Sequence, residues 1–175
     1  MIELPAYVLA LDVSSSRMGI AEGRVGAAPT FSSVSFARDG EGPEDACARA
    51  MLWAAERFRA FKPDWLFIEA PIEGGGHFHR DPQTSVLLWG LYFNIAAVAK
   101  NKSIQTRRAN VRTVRAHFIG NGNMPGKDAK RAVAKRCKQL GWEPKNDDES
   151  DAGAVWDYAC SRLRPAQLKM QLLVG

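Results

Sequence analysis

The sequence lacks the features that identify membrane proteins and disulfide-rich secreted proteins. It has no uninterrupted apolar run close to the roughly 20 residues that a membrane helix needs. Its N-terminal residues include Glu3 and Pro5 instead of a basic start followed by a long apolar stretch, so we expect no secretory signal and no membrane association. The three cysteines, Cys47, Cys137 and Cys160, are far apart and form no CxxC pair, which disfavours a disulfide scaffold or a zinc ribbon. We therefore expect reduced, mostly buried thiols in a cytoplasmic protein.

The length and composition are those of one folded domain. The chain has 175 residues, of which 46% are hydrophobic and 25% are charged, as in ordinary globular proteins. Internal repeats and low-complexity segments are absent from the sequence. Because this length is sufficient for one α/β domain with a substantial core, we expect a single domain over residues 1–175.

The net charge of +5 is unevenly distributed along the chain. Half of the 24 Lys and Arg residues lie between Lys100 and Lys138, where the only acidic residue is Asp128. The next segment is acidic, with Lys145 alone opposing these residues: Glu143, Asp147, Asp148, Glu149, Asp151 and Asp157. A basic surface beside an acidic cluster is typical of an enzyme that binds a polyanion and holds cations at one point. The alternative is a solvated basic helix face next to an acidic helix start.

Hydrophobic periodicity and turn residues predict strands and helices in a mixed order. The predicted strands are residues 7–13, 18–22, 30–37, 65–68 and 103–107. The predicted helices run from Pro43 to near Lys62, over 84–100, from an Asn110 cap to Phe118, over 128–140 and over 150–163. Three consecutive strands favour an antiparallel meander, and the later alternation of helix and strand favours parallel crossovers. The prediction is an α/β fold with a five-stranded mixed sheet flanked by helices.

Four carboxylates stand where they can form a common site. Asp12 lies within an otherwise apolar strand, and Glu69 ends another. Asp148 and Asp151 are spaced i, i+3 at the start of a helix, so both side chains can lie on one face. Because an unpaired buried carboxylate is costly, acids at two strands suggest a shared site to which neighbouring strands contribute.

Clustered carboxylates of this kind predict a divalent-metal site. They repel one another, and the repulsion raises their pKa values unless a cation compensates. Oxygen-only ligands suit Mg²⁺ or Mn²⁺, and two such ions about 3.5–4 Å apart can activate a water and stabilise the leaving oxygen of a phosphodiester. Each acid taken singly has an ordinary alternative role: a turn with the following serines for Asp12, an arginine pair for Glu69, and a helix start for Asp148 and Asp151.

Three short motifs follow one another along the chain. They are Asp12 with Ser15, Ser16, Arg17 and Gly19; Phe67-Ile68-Glu69; and residues 148–154, in which two aspartates three apart precede small residues. Their order and spacing resemble those of the RuvC-type Holliday-junction resolvases, and the similarity extends over nearly the whole chain. The resemblance implies a ribonuclease H-like fold.

The resemblance also implies a mechanism and the residues that perform it. The metal ligands that it implies, for two Mg²⁺ ions that Mn²⁺ can replace, are Asp12, Glu69, Asp148 and Asp151. It assigns Lys130, with Arg112 and Lys127 as alternatives, to the neutralisation of phosphate near the scissile bond. The residues that it places against DNA are Arg112, Arg115, Lys127, Lys130, Arg131 and Phe78. It further implies a homodimer that nicks two opposed strands of a four-way junction and leaves 5′-phosphate and 3′-hydroxyl ends.

The chain departs from the family pattern at three places. Val13-Ser14 stands where the first motif usually has Pro-Gly. The loop after the second motif contains His77-Phe78-His79, in which Phe78 is the candidate for the aromatic residue that meets the junction centre. Asp147 directly precedes the last motif, so either Asp147 is the helix cap beside a ligand Asp148, or Asp147 is the ligand itself. These differences indicate a divergent branch of the family, such as a viral one.

Other functions are compatible with the same residues. A nuclease of this fold that acts on other branched DNA or on RNA would share the carboxylates. A nucleic-acid-binding module without catalysis would use the basic segment but leave the four carboxylates without a role. An actin-like phosphotransferase also has a strand aspartate followed by small residues, with residues 74–76 as a second phosphate loop, but the chain is too short for its two lobes. His77 and His79 could bind zinc, although no further ligand pair is visible.

Overall fold

One mixed sheet forms the centre of the protein. The computed structural model describes residues 4–71 and 81–173, with side chains through Leu163. The strands in these ranges are β1 (Tyr7–Asp12), β2 (Met18–Arg24), β3 (Thr30–Val34), β4 (Trp65–Glu69) and β5 (Gln105–Ala109). They form a five-stranded sheet in the order β3-β2-β1-β4-β5. Strand β2 is antiparallel to both β1 and β3, whereas β4 is parallel to both β1 and β5. The predicted mixed sheet is therefore confirmed.

Helices cover both faces of this sheet. Within the described ranges they are α1 (Pro43–Ala60), α2 (Pro82–Asn101), α3 (Val111–Ile119), α4 (Gly126–Gln139) and α5 (Asp147–Leu173). Helices α1 and α2 pack on one face, and α3, α4 and α5 pack on the other. Side-chain oxygens of Asp81 and Asn110 cap the starts of α2 and α3. None of the helices in the described part of the chain is long and apolar enough to cross a membrane.

Alternate residues of the central strand β1 face the two cores. Val8 and Ala10 pack with α3, α4 and α5, whereas Leu9 and Leu11 pack with α1 and α2. All four side chains are fully buried, and burial of a leucine side chain contributes about 1.5–3 kcal/mol. Because side chains alternate between the two faces of a strand, Asp12 points to the same face as Val8 and Ala10. The last strand residue is therefore directed towards α4 and α5.

Most elements lie within three residues of their predicted bounds, and the differences have local causes. The strand expected at 103–107 begins instead at Gln105. Ser103 adopts a left-handed backbone conformation with φ 55°, and its N–H donates to the carbonyl of Lys100 in the turn that ends α2. Residue 103 thus belongs to the turn, and the extended conformation starts two residues later than the apolar pattern suggested.

Helix α5 was predicted too short at both ends. It begins at Asp147 rather than at residue 150, because the Asn146 side-chain oxygen accepts the backbone N–H of Glu149 and caps the first turn. It continues to Leu173 rather than ending at residue 163. The added residues include Ala, Gln, Leu, Lys and Met, which are strong helix formers.

The cysteines are free thiols, as the sequence predicted. Cys137 and Cys160 are buried, and Cys47 is half-buried. Burial raises the pKa of the Cys137 thiol to about 11. The thiol is therefore protonated at neutral pH, and a protonated buried thiol is a packing residue rather than a nucleophile.

Candidate functional site

One row of paired residues crosses the sheet at the level of Asp12. Asp12 of β1 pairs with Gly19 of β2, and Gly19 pairs with Ser33 of β3. On the other side, β1 and β4 are in parallel register up to the residues just before Asp12 and Glu69, so these two acids end neighbouring strands at the same edge. Directly paired residues point to the same face of a sheet. The row therefore presents two carboxylates, one hydroxyl and one residue without a side chain to the helices above it.

The first turn of α5 lies across this row. A β-carbon on Gly19 would be 1.9 Å from the backbone oxygen of Asp148, so the helix can approach the sheet this closely only over a glycine. Farther along the row, the Ser33 hydroxyl donates a hydrogen bond of 2.9 Å to Glu149 Oε1. These two contacts bring the start of α5, with Asp148 and Asp151, to the strand edge that carries Asp12.

Asp12 is the buried centre of the site. Asp12 is only 8% exposed. Burial raises the pKa of its carboxyl well above the ordinary value of 3.8, and three neighbouring carboxylates raise it further, in the order Glu69, Asp151 and Asp148. The opposing positive charge of Lys130 lowers it only in part. Three of the four acids expected to form one site thus act electrostatically on the fourth, Asp12.

The carboxyl group of Asp151 interacts electrostatically with both acidic and basic residues. Burial raises the pKa of its carboxyl from 3.8 to about 6. Arg115 and Lys130 lower that pKa, whereas Asp147 and Asp148 raise it. Because both cations act on the same carboxylate, the basic side chains of α3 and α4 lie at the edge of the acidic cluster rather than on a separate surface.

Asp147 and Asp148 take different positions. Asp147 is 57% exposed at its side chain and lies 3.5 Å from Lys130 Nζ, a surface ion pair of small energetic value. Asp148 is among the carboxylates that raise the pKa of Asp12, whereas both Asp147 and Asp148 raise the pKa of Asp151. The alternative of Asp147 as helix cap is wrong, because Asn146 occupies that position. The assignment of Asp148, and not Asp147, to the carboxylate cluster stays a prediction.

The predicted DNA-contacting residues within the described part of the chain lie on α3 and α4, and two of them, Arg115 and Lys130, act electrostatically on Asp151. Arg112 and Lys127 are exposed in the first turns of these two helices, and Arg115 is half-buried beside Asp151. Arg131 is 82% exposed at its side chain, 3.7 Å from Asp128 in an i, i+3 pair. The starts of both helices thus carry exposed cations. Phe78 lies outside the described residues.

The donor set fits a hard divalent cation. All four predicted ligands offer carboxylate oxygens, which Mg²⁺ and Mn²⁺ prefer. Burial and three neighbouring carboxylates raise the pKa of Asp12, and Lys130 opposes this shift only in part. A divalent cation would balance the remaining negative charge. Among residues 4–71 and 81–163, no group of three or more His, Cys, Asp or Glu side chains is arranged directly around one metal position. His77 and His79, considered as zinc ligands, lie outside these ranges.

Sequence reasoning missed three residues that organise the site: Ser33, Asn146 and Glu149. Asn146 and Glu149 have the spacing of a capping box, with a polar cap residue followed three positions later by Glu. That signal was present and would have moved the predicted start of α5 to its observed position. No local signal identifies Ser33, because its partner Glu149 is 116 residues away in sequence.

Comparison with known proteins identifies the fold. No protein-family model and no curated protein sequence matches this chain. The structure of RuvC from Thermus thermophilus is similar, with a TM-score of 0.64 and 16% identity over 85% of this chain and 90% of that chain. The same protein in complex with a Holliday junction substrate gives a TM-score of 0.64 and 16% identity over 86% of this chain and 90% of that chain.

A second protein shares the fold over almost the whole chain. The yeast mitochondrial Holliday junction resolvase Ydc2 has a TM-score of 0.61 and 11% identity over 97% of this chain and 86% of that chain. The protein therefore has a RuvC-type, ribonuclease H-like fold. The resemblance inferred from the three motifs is confirmed at the level of the fold.

Proposed function

We propose that this protein is a divalent-metal-dependent endonuclease that hydrolyses phosphodiester bonds in branched DNA and resolves four-way junctions by paired nicks. The observation that carries the proposal is that carboxylates of β4 and α5 act on one buried acid of β1. Burial and these carboxylates raise the pKa of Asp12. Such a charge cluster destabilises a protein unless it serves a bound cation. The proposed metal ligands are Asp12, Glu69, Asp148 and Asp151.

The chain's own residues account for orientation and charge. Asp12 and Glu69 are fixed by sheet pairing, and Asp148 and Asp151 by the first turn of α5. When bound, two Mg²⁺ ions would make a water nucleophilic and offset the charge on the leaving oxygen. Hydrolysis then forms a bond from the water oxygen to phosphorus and breaks the bond to the 3′-oxygen, which leaves 5′-phosphate and 3′-hydroxyl ends.

Lys130 is proposed to neutralise phosphate beside the scissile bond. Its ammonium group lowers the pKa of both Asp12 and Asp151, so it lies within electrostatic reach of the cluster while remaining accessible. A fixed cation at this position would oppose the charge that develops on the phosphate oxygens. The same ammonium would contact the DNA backbone before reaction, together with Arg112, Arg115, Lys127 and Arg131.

The choice of substrate rests on the basic surface and on the comparisons. Half of the Lys and Arg residues lie in 100–138, a charge density that suits a polyanion. One of the similar structures is RuvC in complex with a Holliday junction substrate, which supports a DNA junction as the substrate class. Paired nicks require two active sites, so the proposal includes a homodimer whose two-fold symmetry matches that of the junction.

The test is cleavage of a labelled four-way junction beside matched linear duplex, splayed-arm and RNA–DNA hybrid substrates at one fixed salt concentration. Wild type and Asp12→Asn are compared with Mg²⁺, with Mn²⁺ and with EDTA, and sedimentation measures the oligomeric state. Paired symmetric nicks in the junction alone, absent in EDTA and in the variant, would support the full proposal. Equal cutting by Asp12→Asn would overturn the metal-site assignment.

Two other outcomes would change the function. Metal-dependent cutting of the other substrates would retain the site but indicate a nuclease of broader specificity. Junction binding without cleavage in any metal would favour a non-catalytic nucleic-acid-binding protein. That alternative draws on one observation, the lack of a preformed metal cage among the described side chains.

A further inference from the structure

Glu149 is a buried carboxylate that the proposed metal site does not use. It is 2% exposed and follows Asp148 directly. Its Oε1 atom accepts hydrogen bonds from Ser33 Oγ at 2.9 Å and from Asn146 Nδ2 at 3.1 Å. Its Oε2 atom accepts the backbone N–H of Lys145 at 2.8 Å. These three hydrogen bonds stabilise the carboxylate of Glu149, because a buried charge without partners would be costly.

The three side chains of Ser33, Asn146 and Glu149 form a closed ring. The Ser33 hydroxyl donates to Glu149, and the Asn146 amide donates to both Glu149 and Ser33 Oγ, the latter at 3.3 Å. The Asn146 side-chain oxygen in turn accepts the backbone N–H of Glu149 at 2.9 Å. Two members of the ring cap α5, and the third belongs to β3. The ring therefore ties the start of the helix to the sheet.

The position of this ring gives it a geometrical role. Ser33 stands in the row that contains Asp12 and Gly19. Asp148 passes over Gly19, and Glu149 reaches the end of the row at Ser33. The first turn of α5 is thus held from one side by close contact and from the other by hydrogen bonds.

We propose that the Ser33–Asn146–Glu149 ring is a positioning device for the proposed metal site. It sets the height and rotation of the first turn of α5, and so sets where Asp148 and Asp151 stand relative to Asp12. Glu149 is then a positioning residue and not a metal ligand, although it adjoins one. This inference rests on the proposed function, because it assigns the ring to the metal site of the nuclease.

The substitution that isolates this role is Ser33→Ala. It removes the hydrogen bonds to the sheet and leaves the capping interaction between Asn146 and Glu149 in place. The matched control is Ser32→Ala, the same change one residue away on β3, where the side chain is exposed and points to the opposite face. Ser33→Thr restores a hydroxyl in the same strand and serves as the rescue variant.

Two readouts are needed, one of which is independent of substrate. Calorimetry measures Mn²⁺ affinity, and junction cleavage at varied Mg²⁺ gives the half-saturating metal concentration. For Ser33→Ala we expect both to weaken about 10-fold, the effect of losing a residue that orients metal ligands. We expect Ser33→Thr to recover most of the affinity and Ser32→Ala to stay within about two-fold of wild type, the scatter usual for surface changes.

The outcomes separate this inference from the proposed function. If Ser33→Ala lowers the melting temperature but binds Mn²⁺ like wild type, the ring is only a helix anchor and the inference is wrong. If wild type binds Mn²⁺ but cuts no substrate, the nuclease proposal fails, while the calorimetric comparison still decides the role of the ring. If wild type does not bind metal, both are overturned.

Discussion

Gly19 of β2 lies directly beneath the backbone of Asp148 in the first turn of α5. A β-carbon at Gly19 would be 1.9 Å from the Asp148 carbonyl oxygen and 2.9 Å from the backbone nitrogen of Glu149. Backbone atoms cannot turn aside as a flexible side chain can, so any larger residue must displace the helix. The approach of α5 to the sheet, and with it the proximity of Asp148 to Asp12, therefore depends on a residue without a side chain.

Gly19→Ala is expected to displace α5 and impair the site. Overpacking of this kind costs about 1–3 kcal/mol of stability, and a displacement of about 1 Å at a catalytic group can lower the rate about 100-fold. Denaturant unfolding and junction cleavage measure the two effects. The matched control is Gly126→Ala, because a β-carbon there would have no other part of the structure within 4 Å, apart from the adjoining residues and backbone of its own helix. A Gly19→Ala protein with wild-type stability and rate would contradict the close approach.

Asp12→Asn is expected to stabilise the metal-free protein while abolishing cleavage. The substitution removes a buried charge that three carboxylates repel, and relief of such active-site strain is worth about 0.5–2 kcal/mol. Thermal unfolding in EDTA at pH 7.5 measures the gain. In excess Mg²⁺ the order should reverse, since only wild type gains stability from binding the ion. A lower melting temperature for the variant in EDTA would argue against charge repulsion at Asp12.

The metal-free protein should lose stability as the pH rises from about 4 to 7. In the folded state the pKa of Asp151 is about 6, against 3.8 ordinarily, so the folded state binds more protons than the unfolded state in this range. The difference of about two units corresponds to roughly 3 kcal/mol at most. Urea unfolding in EDTA at several pH values tests this for wild type and Asp151→Asn. The advantage of Asp151→Asn over wild type in free energy of unfolding should grow towards pH 7. A difference that does not change with pH would refute the raised pKa of Asp151.

Lys130→Ala is expected to lower the cleavage rate at saturating DNA. The variant lacks a cation that acts on both Asp12 and Asp151, and loss of one electrostatic stabiliser typically costs about 100-fold. Lys138→Ala is the control, because it removes the same charge from the exposed end of α4, two turns from Lys130. Single-turnover kinetics at saturating junction separates rate from affinity. Equal rates for the two variants would leave Lys130 as a binding residue only.

Much of the fold was predictable because its signals are local. The apolar strands around Asp12 and before Glu69 can be identified from a few consecutive residues, and their order indicates a mixed sheet. The i, i+3 spacing of Asp148 and Asp151 likewise places both on one helix face. The spacing of Asn146 and Glu149, a polar cap residue followed three positions later by Glu, is a local signal too.

The sequence alone indicated which acids are candidates for the site and that they stand at the ends of two strands and the start of a helix. Only the tertiary structure decided that Asp147 pairs with Lys130 while Asp148 raises the pKa of Asp12. That choice depends on the height and rotation of α5 over the sheet, which are fixed by a missing side chain at Gly19 and a hydroxyl at Ser33. These contacts join residues more than 100 positions apart in sequence. No local periodicity encodes such a contact, because it arises only when packing brings the two elements together.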